Sequence, residues 1–194
     1  MTTPKPLRRV LVVSAGTQAY DYIRELLPSG EYDPVTHVAS AGEAKRLLLS
    51  TDYDIVIINT PLPDEFGTEF ALDCAVGTRG VLVLCKSELY EQVSYRLEDS
   101  GILTLPRPVT RQTFYTTVRL LAATNARLAK MEKQNRSLKE KMEDIRVVNR
   151  AKWLLIEHLS MHEQEAHYYI EKQAMDMRLS RREVAEHIIR TYDQ

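Results

Sequence analysis

The sequence predicts a doubly wound α/β domain with a five-stranded parallel sheet, followed by a long coiled-coil helix and a small three-helix module at the carboxyl end. Three observations carry this prediction. Five short aliphatic runs alternate with helix-like segments over residues 9–109, as in folds built from successive βα units. No proline or glycine interrupts residues 110–158, which favours one long helix. Two Ser-x-x-Glu patterns then mark the starts of two further helices.

Five segments of the amino-terminal half are predicted strands of one sheet. Several are nearly continuous runs of β-branched and aliphatic residues, which is typical of parallel strands covered by helices on both faces. Right-handed crossovers bring the carboxyl ends of such strands to one edge, where chemistry is expected. The predicted strands are residues 9–14, 34–39, 54–59, 80–85 and 101–105, and the predicted helices between them are residues 20–27, 41–50, 69–76 and 89–100.

The long helix carries a heptad pattern between residues 121 and 152. Its seam mixes apolar and polar residues, so a coiled coil of modest strength is expected, and an Asn in such a seam commonly fixes register and two strands. A helix that folds back on its own chain is the alternative. A parallel homodimer is favoured because a polar helix of this length has little else to bury against. The predicted dimer seam comprises Leu121, Leu128, Met131, Asn135, Leu138, Met142 and Ile145.

Two capped helices are predicted at the carboxyl end. Ser160 with Glu163 and Ser180 with Glu183 each form a capping-box pattern, in which a hydroxyl and a carboxylate satisfy free N–H groups of the first turn. The helices are therefore expected over residues 161–178 and 181–192, and they should close a three-helix core with the end of the long helix. The expected core comprises Trp153, Leu154, Leu155, Leu159, Ala166, Tyr169, Ile170, Ala174, Met177, Val184, Ala185, Ile188 and Ile189.

Composition excludes several classes of protein. Apolar residues make up 44% and charged residues 27% of the 194 residues, which is ordinary for soluble globular proteins. No apolar run is long enough to span a bilayer, and no signal peptide is expected. Cys74 and Cys85 lie in apolar surroundings, so a reduced, cytoplasmic protein is the simplest interpretation. For Cys85 a structural thiol is favoured over a redox switch.

Catalytic chemistry is not predicted. The sequence contains no recognisable nucleophile–base pair, glycine-rich phosphate loop or metal-ligand cluster, so no enzyme, no metal and no cofactor are expected. Asp64 and Glu65 are interpreted as the acidic start of the third helix, where the helix dipole favours negative charge, rather than as a catalytic pair.

Charge is unevenly distributed along the chain. Residues 1–106 carry 9 basic and 15 acidic side chains, whereas residues 107–152 carry 12 basic and 4 acidic ones. Residues 153–194 again have an acidic balance, with 5 basic and 8 acidic side chains. The basic excess therefore lies on the long helix, and any nucleic-acid surface of the terminal module must use individually placed basic residues.

The segment DIVIINTPLPDEFG, with its spacing of Pro63 and Gly67, resembles the phosphorylation loop of response-regulator receiver domains. The resemblance implies the receiver, or flavodoxin-like, fold for residues 1–109. Asn59 stands where the family carries its phosphoacceptor Asp, and an amide cannot become an acyl phosphate. The acidic pair that holds Mg²⁺ is also replaced, although Mg²⁺ prefers carboxylate ligands. The family pattern is changed at Ser14, Ala15, Asn59, Cys85 and Arg107, which implies a pseudo-receiver that signals without phosphate.

Near the carboxyl end, Ala151, Ala166 and Ala174 stand among the segments EAHYYIEKQAMDMR and LSRREVA. This pattern resembles the ANTAR module, a bacterial RNA-binding domain of transcription antiterminators. The resemblance implies a dimer that binds paired hairpins in a leader transcript, with residues 110–150 as connecting helix and coiled coil and residues 151–194 as the RNA-binding module. Since RNA loops are read by stacking and phosphate contacts, the candidate RNA-binding residues are Arg150, Lys152, His167, Tyr168, Lys172, Arg178, Arg181 and Arg182.

Two other functions are open at this point. Two capped helices joined by a short turn also suggest a DNA-binding helix-turn-helix regulator. Alternatively, the receiver-like domain and the coiled coil could dock a sensor or regulatory protein, with the tail serving assembly alone. Preference for duplex DNA over structured RNA would support the first alternative, and regulation that survives deletion of residues 151–194 would support the second.

Overall fold

The computed structural model of the chain describes residues 7–28 and 30–192. Five parallel strands form one sheet in the order β2-β1-β3-β4-β5, which confirms the predicted doubly wound fold. The strands are β1 (Arg8–Ser14), β2 (Tyr32–Val38), β3 (Ile55–Asn59), β4 (Gly80–Lys86) and β5 (Leu103–Arg107). The helices are α1 (Thr17–Leu26), α2 (Ala41–Ser50), α3 (Thr68–Cys74), α4 (Tyr90–Leu97), α5 (Arg111–Leu159), α6 (Glu163–Met177) and α7 (Arg181–Tyr192).

The chain divides into two compact units, Met1–Lys130 and Met131–Gln194, and the division falls within α5. In the N-terminal unit helices cover both faces of the sheet. Alternate residues of a strand point to opposite faces, so each strand contributes to two buried clusters. Val10 and Val12 lie in a cluster with α1 and the first turns of α5. Leu11 and Val13 lie in a second cluster with α2, α3 and α4. The two clusters form the core of this unit.

The strand register aligns the carboxyl ends of the central strands. Ser14 at the end of β1 lies beside Asn59 at the end of β3, and Asn59 lies beside Leu84 of β4. Cys85 of β4 is in turn beside Pro106 of β5. The residues that stand at the family's phosphorylation positions are therefore gathered at one edge of the sheet, at the place where open α/β sheets bind ligands.

The first turns of α5 pack on the sheet, and this removes Leu121 from the predicted dimer seam. Leu121 is only 4% exposed and lies in the same cluster as Phe114 and Val118. A Cβ at Gly80 would stand 2.7 Å from Leu121 Cγ, so this close packing of α5 on β4 requires glycine. The prediction that Leu121 belongs to the dimer seam was wrong. A helix packed on its own sheet and a helix in a coiled coil repeat their apolar residues at nearly the same period, so the spacing alone does not distinguish them.

The remaining seam positions are exposed on α5. Leu128, Met131, Leu138, Met142 and Ile145 have between 43% and 65% of their surface accessible. Asn135 is exposed as well. The described part of the chain leaves these side chains uncovered, so that they are available to a partner helix.

In the C-terminal unit, the end of α5 packs with α6 and α7 around a small core. Ala151, which was not predicted as a core residue, lies in this core together with the predicted Leu154, Leu155, Ala166, Ile170, Ala174, Val184, Ala185 and Ile188. The prediction was wrong for Trp153, which is 70% exposed, and for the exposed Leu159, Tyr169 and Met177. Trp153 is two residues from Ala151, and two residues turn a helix by about 200°, so Trp153 faces away from the core.

One of the two predicted capping boxes is confirmed. The Glu183 N–H donates to Ser180 Oγ at 3.2 Å, and the Ser180 N–H donates to Glu183 Oε2 at 2.7 Å. The other prediction was wrong by two residues, because α6 begins after His162, whose N–H donates to the Glu165 carboxylate at 2.8 Å. Ser160 has a left-handed backbone with φ of 54° and belongs to the turn between α5 and α6.

Candidate functional site

A groove of about 480 Å³ lies on the surface of the C-terminal unit. Half of the predicted RNA-binding residues line it: Lys152 of α5, His167 of α6 and Arg181 and Arg182 of α7. The apolar Ile145 and Val148 of α5 also line the groove, together with Asp144, Asn149 and Ser180. The three helices of the unit thus bring basic and apolar side chains, which are separated by up to 37 residues, to one surface.

Each basic residue of the groove is paired with a carboxylate. Lys152 Nζ lies 3.0 Å from Glu163 Oε1, and Arg181 Nη1 lies 3.0 Å from Glu171 Oε1. The same Glu171 oxygen is 3.4 Å from His167 Nε2. A single carboxylate therefore holds both an arginine of α7 and a histidine of α6.

Arg182 differs from its neighbours because two carboxylates hold it. Its Nη1 donates to Asp144 Oδ1 and its Nε donates to Glu186 Oε1, both at 2.8 Å. The hydrogen bond to Glu186, and after it the one to Asp144, raises the pKa of Arg182. The pair with Glu186 lies within α7, whereas the pair with Asp144 links α7 to α5.

The position of Arg181 and Arg182 follows from the cap of α7. Ser180 ends the preceding turn, and its hydroxyl and backbone N–H are both bonded to Glu183. The bond from the Ser180 backbone N–H, and after it the one from the hydroxyl, lowers the pKa of the Glu183 carboxyl. The cap fixes the first residue of α7, and the two arginines therefore stand in its first turn.

The other four predicted residues do not line the groove. Tyr168, which is 64% exposed, and the exposed Lys172 are one helical turn apart on α6, so they share a face. Arg178 ends α6 with a left-handed φ of 55°, and Arg150 is exposed on α5. The sequence did not indicate Ile145, Val148 or Asn149 as groove residues. Ile145 was predicted as a seam residue of the coiled coil, and no motif marks Val148 or Asn149 as a groove residue.

In the N-terminal unit, the residues at the carboxyl ends of the strands form a neutral and basic cluster. Ser14 Oγ donates to the Gly16 carbonyl oxygen at 3.1 Å and lies 3.0 Å from His37 Nε2. Arg107 Nη2 donates to the Thr60 carbonyl oxygen at 2.6 Å. Asn59 is 9% exposed. Ser14, Ala15 and Asn59 supply no carboxylate, so these residues do not fit a Mg²⁺ site.

The two cysteines are buried thiols. Burial raises the pKa of Cys74 to about 12. Burial also raises the pKa of Cys85, and the charge of Arg107 opposes this shift. Because the thiolate is the reactive form, both thiols should be unreactive at neutral pH in the folded protein.

The acidic pair Asp64 and Glu65 caps two different helices. Asp64 accepts hydrogen bonds from the backbone N–H groups of Ala41 and Gly42, at 3.0 and 2.8 Å. The hydrogen bond from the Gly42 N–H has the largest effect, and together these bonds lower the pKa of Asp64. Only Glu65 matches the prediction, since it accepts from the Phe70 N–H in the first turn of α3 at 2.9 Å. Asp64 instead serves the start of α2.

The described residues form neither a metal cluster nor a membrane-spanning helix. No group of three or more His, Cys, Asp or Glu side chains in that part of the chain is arranged to hold a metal ion. Among the helices of residues 7–28 and 30–192, none combines the length and apolarity needed to cross a bilayer.

The N-terminal unit is similar in fold to solved receiver domains. The signal receiver domain of an HD-domain-containing protein from Pseudomonas fluorescens Pf-5 matches with a TM-score of 0.59 and 17% identity, covering 67% of this chain and 97% of that chain. The chemotaxis response regulator CheY4 of Vibrio cholerae matches with a TM-score of 0.52 and 19% identity, covering 60% and 99%. The N-terminal unit therefore has the receiver fold.

The C-terminal unit matches a known family. Residues 136–189 match the model of the ANTAR domain, and the match begins within α5. The transcriptional regulatory protein PdtaR of Mycobacterium tuberculosis, from strains CDC 1551 / Oshkosh and ATCC 25618 / H37Rv, is 25% identical over 185 residues, which cover 95% of this chain and 90% of PdtaR.

A receiver fold followed by an ANTAR domain defines the class of RNA-binding response regulators of antiterminator type. The chain is an ANTAR-domain response regulator.

Proposed function

We propose that this chain acts as a dimeric antitermination regulator that binds paired hairpins of a nascent leader transcript and works without an aspartyl phosphate. The observation that carries this proposal is the groove of the C-terminal unit, where Lys152, His167 and Arg181 surround the apolar Ile145 and Val148. Basic side chains, among them the cationic Lys152 and Arg181, beside an apolar floor suit an unpaired RNA loop, whose phosphates pair with cations and whose bases stack on apolar or planar groups.

In the proposed RNA complex, phosphates of the RNA replace carboxylates as the partners of the basic side chains in the groove. The Arg181–Glu171 pair is exposed, and in the Lys152–Glu163 pair the carboxylate is exposed although Lys152 is only 16% exposed. Ion pairs that water reaches contribute little to stability. RNA phosphates gain from the same cations and release counterions when they bind. Lys152 and Arg181 are therefore the proposed phosphate contacts, whereas Arg182 keeps its two carboxylates and holds the groove in shape.

A second set of contacts is proposed on the exposed surface beside the groove residues. Tyr168 and Lys172 share one face of α6, and this pairing of a ring with a cation suits a stacked base and its phosphate. Arg150 and Arg178 are the other proposed contacts. They are exposed, and each would add one phosphate contact.

Dimerisation is proposed through the exposed seam of α5. Leu128, Met131, Leu138 and Met142 are too exposed to serve the core of one chain, and a parallel two-stranded coiled coil would bury them. Ile145, the last residue of the predicted seam, lines the groove and is left to the RNA in this proposal. Such a dimer carries two RNA-binding modules, which suits an RNA with two adjacent hairpins. In this proposal residues 110–150 connect the domains, and residues 151–194 form most of the module.

Phosphate-independent signalling is proposed for residues 1–109, the pseudo-receiver. Asn59 lacks the carboxylate that an acyl phosphate requires, and Ser14 and Ala15 lack the carboxylates that Mg²⁺ prefers. The input to this domain would then be a ligand or a regulatory protein rather than a phosphoryl group.

A gel-shift titration at fixed salt tests the proposed function. The full chain is titrated against an RNA with two adjacent small hairpins, a single-hairpin RNA and a duplex DNA of similar length, with the hairpin loops randomised. We expect the tightest binding for the paired hairpins. Equal binding to all three, fading steeply with salt, would indicate only a basic helix and would contradict the proposal. Preference for duplex DNA would favour a helix-turn-helix regulator instead.

A further inference from the structure

A pocket of about 400 Å³ opens at the carboxyl ends of the strands in the N-terminal unit. This volume lies in the range of small-molecule sites, and the location is where doubly wound sheets bind ligands. Its apolar walls include Ala19 and Ile23 of α1, Leu84 of β4 and Val109. The Tyr22 hydroxyl donates to the Val109 carbonyl oxygen at 3.0 Å, which ties α1 to the segment after β5 and holds the walls together.

Arg107 gives this pocket a positive charge that no carboxylate of the described residues balances by an ion pair. Its Nη2 is anchored on the Thr60 carbonyl oxygen, and its Nε is buried without a hydrogen-bond partner among the described residues. Within the part of the chain that the structure describes, no carboxylate pairs with Arg107 within 4.0 Å, and none lines the pocket. Because a half-buried cation is ordinarily paired, the missing charge points to an anionic ligand.

Asn59 offers a second polar group at the same pocket. It is 9% exposed and lines the wall, and its side-chain amide makes no hydrogen bond to the described residues. An amide both donates and accepts, so that Asn59 can bind the second oxygen of an anion held by Arg107.

We propose that this pocket binds a small amphipathic carboxylate, consisting of an apolar ring and one carboxylate group. The walls formed by Ala19, Ile23 and Leu84 take the ring, and Arg107 and Asn59 take the carboxylate. A guanidinium matches the geometry of a carboxylate through parallel N–H donors. This site is distinct from the RNA-binding groove and gives the N-terminal unit a chemical input.

The test is calorimetric titration of the full chain with matched pairs of probes in the absence of RNA. Phenylacetate is compared with phenylacetamide, and indole-3-acetate with indole-3-acetamide, because each pair differs in charge but hardly in shape. We expect at least one carboxylate to bind about tenfold or more tightly than its amide. Equal binding within both pairs, or no binding of any probe, would overturn the proposal.

Three variants separate the pocket from non-specific binding. Arg107→Gln should abolish the preference for the carboxylate, and Ala19→Leu should fill the pocket and weaken both members of a pair. Ala123→Leu, at an exposed position of α5 outside the pocket, should leave the titrations unchanged. If Arg107→Gln fails to fold, Ala19→Leu decides the matter, since undiminished carboxylate binding in that variant would refute the site. RNA is absent throughout, so the result is independent of the proposed function.

Discussion

Four basic side chains of the groove are held by carboxylates, and the number of partners separates their roles. Arg182 has two partners, Asp144 and Glu186, and its loss would remove the ion pair between α7 and α5 but leave their shared core in place. Lys152 and Arg181 have one exposed partner each, so that a phosphate can replace the carboxylate without opening the core. A weakened RNA complex is therefore informative only when it arises at Lys152 or Arg181.

Arg181→Gln and Lys152→Gln should each weaken RNA binding about tenfold, since each removes one charge-assisted contact to phosphate. Each substitution should also lower the slope of log K against log salt by about one. Fluorescence anisotropy over a salt series measures both quantities. Arg190→Gln on α7 is the matched control, because Arg190 is exposed and does not line the groove. An equal effect of Arg190→Gln would mean that only net charge matters.

Restoring an aspartate at position 59 should not restore phosphorylation. Asn59→Asp supplies the missing nucleophile, but Ser14 and Ala15 still offer no carboxylate for Mg²⁺. Intact-mass measurement after incubation with acetyl phosphate and Mg²⁺ should show no added phosphoryl group in either the wild type or the variant. A stoichiometric mass increase in the wild type would contradict phosphate-independent signalling.

The identity of the basic residues could be predicted from the sequence, but their partners could not. His167, Arg181 and Arg182 stand in segments whose resemblance to a known module is readable in the chain. The carboxylate of Asp144, in contrast, lies 38 residues before Arg182, on a helix that meets α7 only when the unit is folded. Such long-range pairs depend on helix packing, for which a single sequence carries no direct signal.

At the scale of the helices, the cap of α7 is the feature whose loss should be measurable. Ser180→Ala removes the side chain that accepts from the Glu183 N–H at 3.2 Å, which should cost about 1 kcal/mol of stability. Thermal unfolding followed by circular dichroism measures this loss. Thr191→Ala at the other end of α7 is the control and should change the melting temperature little. Equal melting of Ser180→Ala and the wild type would contradict the role of the cap.

The pH dependence of the same cap has a defined sign. The pKa of Glu183 is lowered in the folded protein, so its contribution is present above the unfolded value of about 4.3. This contribution is lost as the pH falls through the lower, folded pKa. The difference in melting temperature between the wild type and Glu183→Gln should therefore shrink as the pH is lowered from 6 towards 3.

The seam of α5 makes a prediction about assembly. Leu138→Lys places a charge among the exposed apolar side chains of α5, so it should shift the chain from dimer to monomer. Light scattering after size-exclusion chromatography measures the mass. Ser137→Lys adds the same charge at an exposed position outside the seam and should leave the dimer intact. A wild-type chain that is monomeric at micromolar concentrations would contradict the coiled-coil proposal.

The length of α5 could be predicted from the absence of proline and glycine. Which of its faces are buried and which are exposed could not. Leu121 has the heptad spacing of the seam yet is buried under the sheet, and Trp153 is apolar yet exposed. Both errors have the same physical origin. Hydrophobic period indicates which residues share a face of a helix, but only tertiary packing decides which face is covered.

For the whole molecule, the strand order follows from rules that act along the chain. Alternating aliphatic runs and helices, joined by right-handed crossovers, permit few arrangements, and the order β2-β1-β3-β4-β5 is one of them. The pocket at the strand ends was not predictable in the same way. It depends on how α1 stands against Arg107 and Val109, which the strand pattern leaves undetermined.

Transcription through a terminator tests the central claim most directly. The template encodes the tightest-binding paired-hairpin RNA, with its second hairpin overlapping an intrinsic terminator. In single-round transcription, the full chain should raise read-through in proportion to RNA binding, and Arg181→Gln should require about tenfold more protein for the same effect. Read-through that stays at its basal level while the wild-type chain saturates the RNA would contradict antitermination.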